Sequence, residues 1–118
     1  MKIAQVSELV EYSDEKRVRK QIFLSNDIVS ELVCYAPGQD TVTHQHPRQD
    51  EIFYVVEGAG TIVVGDAEIA ARTGTTVFVP AGARHSIRAD RAARLVLLFF
   101  KGPGIPGRGA AAPGAAAV

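Results

Sequence analysis

Two short blocks of sequence constrain this chain most, because together they contain all three of its histidines. The first block reads Gly38, five residues, His44-Gln45-His46, four residues, Glu51, six residues, Gly58. The second block reads Gly74, five residues, Pro80-Ala81-Gly82, two residues, His85. A chain with so few histidines rarely places every one at metal-ligand spacing by chance.

The spacing of these residues predicts one metal site. Side chains two positions apart on a strand point to the same side, so His44 and His46 form a pair. Glu51 is expected to open the next strand, and His85 to come from a later strand brought close by barrel closure. Three imidazoles and one carboxylate suit a divalent transition metal: Fe, Mn, Ni, Zn, Co or Cu. Such a set leaves roughly one or two of six coordination positions open for water, substrate or oxygen. The alternative interpretation is a set of ordinary core or surface side chains.

The rest of the chain predicts an all-β fold. Short β-branched and aromatic runs alternate with Gly, Pro, Asn and Asp. Hairpin turns are expected at Asn26-Asp27 and Gly65-Asp66, and a tight turn at Gly58 and Gly60. A short helix or turn is possible within Val6–Arg19. The predicted strands are Val18–Leu24, Ile28–Ala36, Thr41–Gln45, Glu51–Glu57, Thr61–Val64, Ala67–Ala70, Thr76–Val79, Ser86–Arg88 and Leu95–Phe100.

Length and composition favour one small domain. The chain has 118 residues, of which 47% are hydrophobic. Thirteen basic residues balance 13 acidic ones, so charge gives no reason to expect nucleic acid or a membrane surface as a partner. Cys34 is the one cysteine, so no intramolecular disulfide can form. The first twenty residues lack an apolar region, and no apolar run approaches ~20 residues. We expect a cytoplasmic protein with a domain at 1–101 and a flexible Gly/Pro/Ala-rich tail at 102–118.

The two blocks resemble the two motifs of the cupin superfamily. The first matches G(X)5HXH(X)3–4E(X)6G throughout, and the second matches G(X)5PXG(X)2H. The family pattern continues to an asparagine, and Ala89 stands at that position. The asparagine is not a metal ligand in the family, so the departure affects only a supporting role around the ligands. The resemblance implies a single small jelly-roll β-barrel with one metal per chain. It also implies a homodimer, for which the strand Val18–Leu24 is a candidate edge.

Alternation along the strands indicates a substrate pocket beside the metal. Phe53 and Val55 share a face with Glu51, and Ile87 shares one with His85. These side chains form either an apolar pocket wall or simply the barrel core. Gln39 and Arg84 are placed near the mouth, where they contact substrate or lie solvated on turns.

Three functions remain open at this point, because one fold hosts many reactions. The first is a metal-dependent enzyme acting on a small organic molecule, with dioxygenation as the leading reaction and Glu51 as a possible catalytic residue. The second is a non-oxidative Lewis-acid enzyme, such as an isomerase, lyase, decarboxylase or cyclase. The third is a binding or sensor protein without turnover.

Overall fold

A computed structural model describes residues 1–104 and the backbone of 115–116. One short helix and nine strands are found among these residues. They are α1 (Val6–Leu9), β1 (Val18–Leu24), β2 (Val29–Tyr35), β3 (Asp40–His44), β4 (Asp50–Val64), β5 (Ala67–Arg72), β6 (Thr76–Val79), β7 (His85–Ala89), β8 (Leu95–Gly102) and β9 (Ala115–Ala116). The prediction of an all-β fold is confirmed. No described helix is long and apolar enough to cross a membrane.

The strands form two antiparallel sheets that share β4. The first half of β4 lies between β6 and β8, and β8 continues through β2 to β1. The second half lies between β5 and β7, and β7 pairs with β3. The two sheets close around one interior, which gives the small jelly-roll barrel that the cupin resemblance implies.

The length of β4 corrects one expectation. Gly58 and Gly60 do not make a tight turn, because the strand runs without a break through both. A side chain at Gly58 would place its Cβ 1.8 Å from the Arg94 carbonyl oxygen, and one at Gly60 would lie 2.3 Å from the Arg88 oxygen. Gly58 also has a φ of 99°, and the pairing with β8 shifts register between Val55 and Glu57. The glycines therefore allow a close backbone approach where β4 passes from one sheet to the other.

Alternation along the strands separates two apolar clusters. The main cluster fills the barrel interior and includes Tyr35, Phe53, Ile62 and Leu97. The second lies on the outer side of β1, β2 and β8, where Leu32, Cys34 and Val96 are covered by the N-terminal segment with α1. Cys34 is free and buried.

Most of the predicted tail lies outside the described residues, namely 105–114 and 117–118. Among the described residues, Ala115–Ala116 pairs antiparallel with β1 at Gln21 and Lys20.

Candidate metal centre

The three histidines meet at one end of the barrel. His44 ends β3, His85 begins β7, and the two are paired directly across the ladder. His46 lies two residues beyond β3, and its carbonyl oxygen accepts a hydrogen bond from the Gly82 amide at 2.9 Å. One ligand nitrogen from each ring lies within 4.8 Å of the others. Two ligands of one ion at ~2.1 Å are at most ~4.2 Å apart, so small side-chain rotations suffice for all three to bind one ion.

Backbone carbonyls fix the tautomers of two of these rings. His44 Nδ1 lies 2.9 Å from the Val42 oxygen, and His85 Nδ1 lies 2.9 Å from the Ala83 oxygen. A carbonyl can only accept, so each Nδ1 carries the proton and donates it. The Nε2 atom of each ring therefore keeps its lone pair. Such a hydrogen bond behind the ring is the usual support of a metal-binding histidine.

Glu51 adds a carboxylate beside these rings. Its Oε1 atom lies 3.2 Å from His85 Nε2 and 3.6 Å from His46 Nε2. Glu51 and His85 are only 3% and 2% exposed. Glu51 Oε1 and His85 Nε2 are both buried, and neither has a hydrogen-bond partner of acceptable geometry among the described residues. Two facing acceptors without a donor are costly when buried, and a cation between them would satisfy both. The donor set therefore fits a divalent metal.

The surroundings shift the pKa values of the rings in different directions. Burial lowers the pKa of His44 and of His46 below the usual value, because it penalises the charged imidazolium. Burial also acts to lower the pKa of His85. There, contact with Glu51 and the hydrogen bond to the Ala83 carbonyl outweigh burial, so the pKa of His85 is raised. His44 and His46 are consequently neutral near pH 7, as metal ligands must be.

Asp50 holds the loop that leads to His85. Its Oδ1 atom accepts a hydrogen bond from the Ala81 amide at 2.9 Å. Ala81 lies in the Pro80-Ala81-Gly82 turn, which also contacts the His46 backbone through Gly82. The carboxylate next to Glu51 thus connects the start of β4 to the segment that carries the last histidine.

A small cavity of about 30 Å³ adjoins the four side chains. Of the residues predicted for the pocket, Phe53 and Ile87 line it. Val55 is fully buried in the neighbouring apolar core. Gln39 and Arg84 lie elsewhere. Gln39 bonds to the Ala36 amide and the Ser13 carbonyl in a turn, and Arg84 lines an outer surface groove.

The sequence interpretation missed the polar residues of the cavity wall. They come from β1, β2, β3 and β8 and are Arg19, Glu31, Tyr35, Thr41 and Lys101. A signal for two of them was present in the alternation. Glu31 shares a strand face with Val33 and Tyr35, and Lys101 follows Leu97 and Phe99 at period two. A charged residue that continues a buried face in this way indicates a polar site rather than a solvated surface.

A family model described as "Cupin domain" matches residues 31–101, which is more than half of the chain. The chain belongs to the cupin family. Cupins commonly bind metals, and the three histidines are a possible metal site in this one.

Relatives support the same assignment. The crystal structure of TT1209 from Thermus thermophilus superposes with a TM-score of 0.83 at 32% identity, covering 87% of this chain and 98% of that one. An RmlC-like cupin from Desulfovibrio desulfuricans gives a TM-score of 0.80 at 27% identity, covering 89% and 99%. Protein SchB of Streptomyces halstedii is 33% identical over 70 residues, which are 59% of this chain and 51% of SchB. The match thus spans about half the length of SchB.

Proposed function

We propose that this cupin is a metal-dependent enzyme acting on a small organic molecule, with His44, His46, His85 and Glu51 as the ligands of one divalent transition metal. The observation that supports this most is the pair of buried, unpartnered acceptors, Glu51 Oε1 and His85 Nε2. A bound metal would supply Lewis acidity toward a substrate oxygen, or a site for oxygen. The small cavity beside the ligands marks where the reacting group of a substrate would lie.

Proton transfer is the reaction class that the wall of the cavity favours. Lys101 Nζ lies 4.0 Å from Glu51 Oε2, so a cation faces this carboxylate across the cavity wall. Tyr35 and Thr41 share a hydrogen bond of 2.8 Å between their hydroxyls, which leaves one hydroxyl proton free to bind a substrate oxygen. A carboxylate base with nearby protic groups suits an isomerase, lyase, decarboxylase or cyclase.

Dioxygenation is the second candidate, and a different part of the wall favours it. Phe53, Ile87 and Phe99 line the cavity and belong to the buried apolar core. Phe53 packs edge-on against the His85 ring with centroids 5.6 Å apart. These side chains exclude water on that side and fit an aromatic or enol substrate. Their role in either reaction is to orient the organic part of the substrate.

The test begins with elemental analysis of the full chain purified without an affinity tag. Protein loaded separately with Fe(II), Mn(II) and Zn(II) is then incubated with two enolisable probes, pentane-2,4-dione and oxaloacetate. Parallel samples are kept with and without oxygen, and oxygen consumption and product formation are followed together. The His46→Ala variant, which removes one ligand from the loop after β3, serves as the metal-deficient control.

Turnover without oxygen that requires His46 and Glu51 would support proton transfer. Oxygen uptake that requires His46 would support dioxygenation. Stoichiometric metal with neither activity would favour a binding protein and contradict the enzymatic proposal. Failure to bind any of the metals would contradict the proposal as a whole.

A further inference from the structure

Three charged residues form a continuous chain along the cavity wall. Arg19 Nη2 lies 3.2 Å from Glu31 Oε2, and Lys101 Nζ lies 2.6 Å from Glu31 Oε1. Lys101 continues the chain to Glu51, whose Oε2 is 4.0 Å away. We call Arg19, Glu31 and Lys101 the charged wall. No cupin motif includes these residues.

We propose that Arg19 and Lys101 bind the carboxylate of the substrate, so that the cavity accepts small oxo- or hydroxy-carboxylates. The inference rests on the proposed metal site, because the second oxygen of such a molecule would face the histidines. Glu31 is a positioning residue in this proposal. It holds the two cations on the same side of the cavity.

The charges of the site favour an anion. Two cations, Arg19 and Lys101, balance two carboxylates, Glu31 and Glu51, and all three histidines are neutral when they bind a metal. A divalent ion then leaves an excess of two positive charges in a partly enclosed space. Opposite charge is strongly favoured there, because the surrounding protein screens less than water does.

The unused hydrogen-bond donors of Arg19 and Lys101 also favour an anionic ligand. A guanidinium has five N–H donors and an ammonium has three. Among the described residues, Arg19 donates one hydrogen bond, to Glu31, and its side chain is 41% exposed. The side chain of Lys101 is 10% exposed, and among the described residues its Nζ atom lies 2.6 Å from Glu31 Oε1 and 4.0 Å from Glu51 Oε2. Each cation therefore keeps donors for a further acceptor.

An ion pair with only a structural role would not require two cations that share one carboxylate beside the cavity. One carboxylate, Glu31, is shared by two cations, and all three side chains line the cavity rather than the apolar core. Glu31 is 5% exposed, so the bridge between the cations is shielded from water. Charge-assisted bonds to a ligand carboxylate at such a place are stronger than those at a solvated surface.

The path from the charged wall to the histidines sets the size of the ligand. Glu51 contacts both Lys101, at 4.0 Å, and His85, at 3.2 Å. A molecule that spans this path needs its carboxylate and its second oxygen on adjacent or nearly adjacent carbons. Acids of the 2-oxo, 3-oxo and 2-hydroxy types meet this requirement.

The test compares pyruvate with pyruvamide, which has the same shape without the charge. Binding of both is measured by ligand-observed NMR to zinc-loaded and to metal-free protein. Arg19→Gln is the main variant, since Glu31 keeps Lys101 as a partner. Arg88→Gln is the matched control, because Arg88 is exposed and faces away from the cavity on β7. Lys101→Met is combined with Glu31→Gln, so that no unpaired charge is left buried.

We expect zinc-loaded protein to bind pyruvate at least ~10-fold more tightly than pyruvamide. Arg19→Gln should reduce that preference about 10-fold without changing zinc affinity. The Lys101→Met/Glu31→Gln pair should reduce the preference by a similar factor, and Arg88→Gln should leave it intact. Equal binding of the two probes, or an unchanged preference in Arg19→Gln, would overturn the inference while zinc binding still stands. If zinc does not bind, the proposed function fails. The carboxylate site would then still be supported if metal-free protein prefers pyruvate to pyruvamide and Arg19→Gln removes that preference. It would be contradicted if metal-free protein shows no such preference.

Discussion

Glu51 and His85 face each other through Oε1 and Nε2, two buried atoms 3.2 Å apart that have no hydrogen-bond partner of acceptable geometry within residues 1–104. With His85 neutral, both atoms are acceptors, because His85 Nδ1 donates to the Ala83 carbonyl. An unsatisfied buried polar atom costs about 1–3 kcal/mol. The metal-free fold therefore carries a local cost that either a metal ion or a proton on His85 would remove.

Replacing Glu51 with glutamine should stabilise the metal-free protein while weakening metal binding. The amide nitrogen of Glu51→Gln would supply the missing donor to His85 Nε2, which is worth about 1 kcal/mol. The loss of a carboxylate should reduce the rise in melting temperature that zinc causes through mass action. Thermal unfolding with EDTA and with zinc measures both effects. Glu57→Gln, an exposed change on the same strand, is the control, and an equal rise in its metal-free melting temperature would contradict the explanation.

Zinc affinity should depend on pH in two stages. The pKa of His85 is raised, so a proton on His85 competes with the metal above pH 6.5. The pKa values of His44 and His46 are lowered, so protons compete with the metal at these two rings only at more acidic pH. The logarithm of the binding constant should fall by about one unit per pH unit on the first stage and more steeply below it. Competition titrations with a chromogenic chelator between pH 5 and 8, at ~0.5-unit steps, measure the slope. A slope of two or three at pH 7 would show that the three rings titrate together.

Tyr35 should be the last tyrosine to ionise. Burial raises the pKa of Tyr35 to about 12, although its hydrogen bond to Thr41 opposes the shift. Because the folded-state pKa is raised, the stability that Tyr35 contributes is present below pH 10 and is lost as pH rises toward 12. Absorbance titration at ~295 nm should show one late step that Tyr35→Phe removes and Tyr54→Phe does not. At pH 7, Tyr35→Phe should cost about 1 kcal/mol, since Thr41 loses its partner.

Gly58→Ala should be among the most destabilising single changes in the barrel. The new Cβ would lie 1.8 Å from the Arg94 carbonyl oxygen, and the backbone has a φ of 99°. Strain and the displaced backbone together should cost more than about 3 kcal/mol. Gly65→Ala is the control, because Gly65 also has a positive φ but no atom of the described part of the chain lies within 4 Å of the added Cβ. Urea unfolding of the two variants separates the cost of the clash from that of the φ angle, and equal losses would contradict the role given to Arg94.

The strands and the histidine cluster were predictable because both depend on short-range patterns. Val18–Leu24 and Thr76–Val79 have the predicted bounds, since β-branched runs between turn residues define them. The clustering of His44 and His85 followed from the resemblance, and their pairing across β3 and β7 gives its geometric basis. The continuity of β4 was not predictable, because the reason for Gly58 is a carbonyl 36 residues later in the chain.

The cavity wall was harder to predict because it depends on sheet order. Gln39 and Arg84 lie close to the histidines in sequence, but their turns point to other surfaces. Arg19 and Lys101 are far from the histidines in sequence, and they reach the cavity because β1 and β8 flank β2 in one sheet. Only the strand order brings these cations beside Glu51.

The sharing of β4 between the two sheets also limits how a molecule can reach the centre. Glu51 lies on β4 within one sheet, while His85 is paired with Val64 at the other end of β4 in the second sheet. An ion held by both side chains would tie the two sheets together at this end, so entry cannot depend on separating them. Two of the residues that line the cavity, Arg19 and His46, are partly exposed, and a molecule would approach beside them. Molecules would therefore be selected by size and charge at a rigid entrance before any chemistry begins.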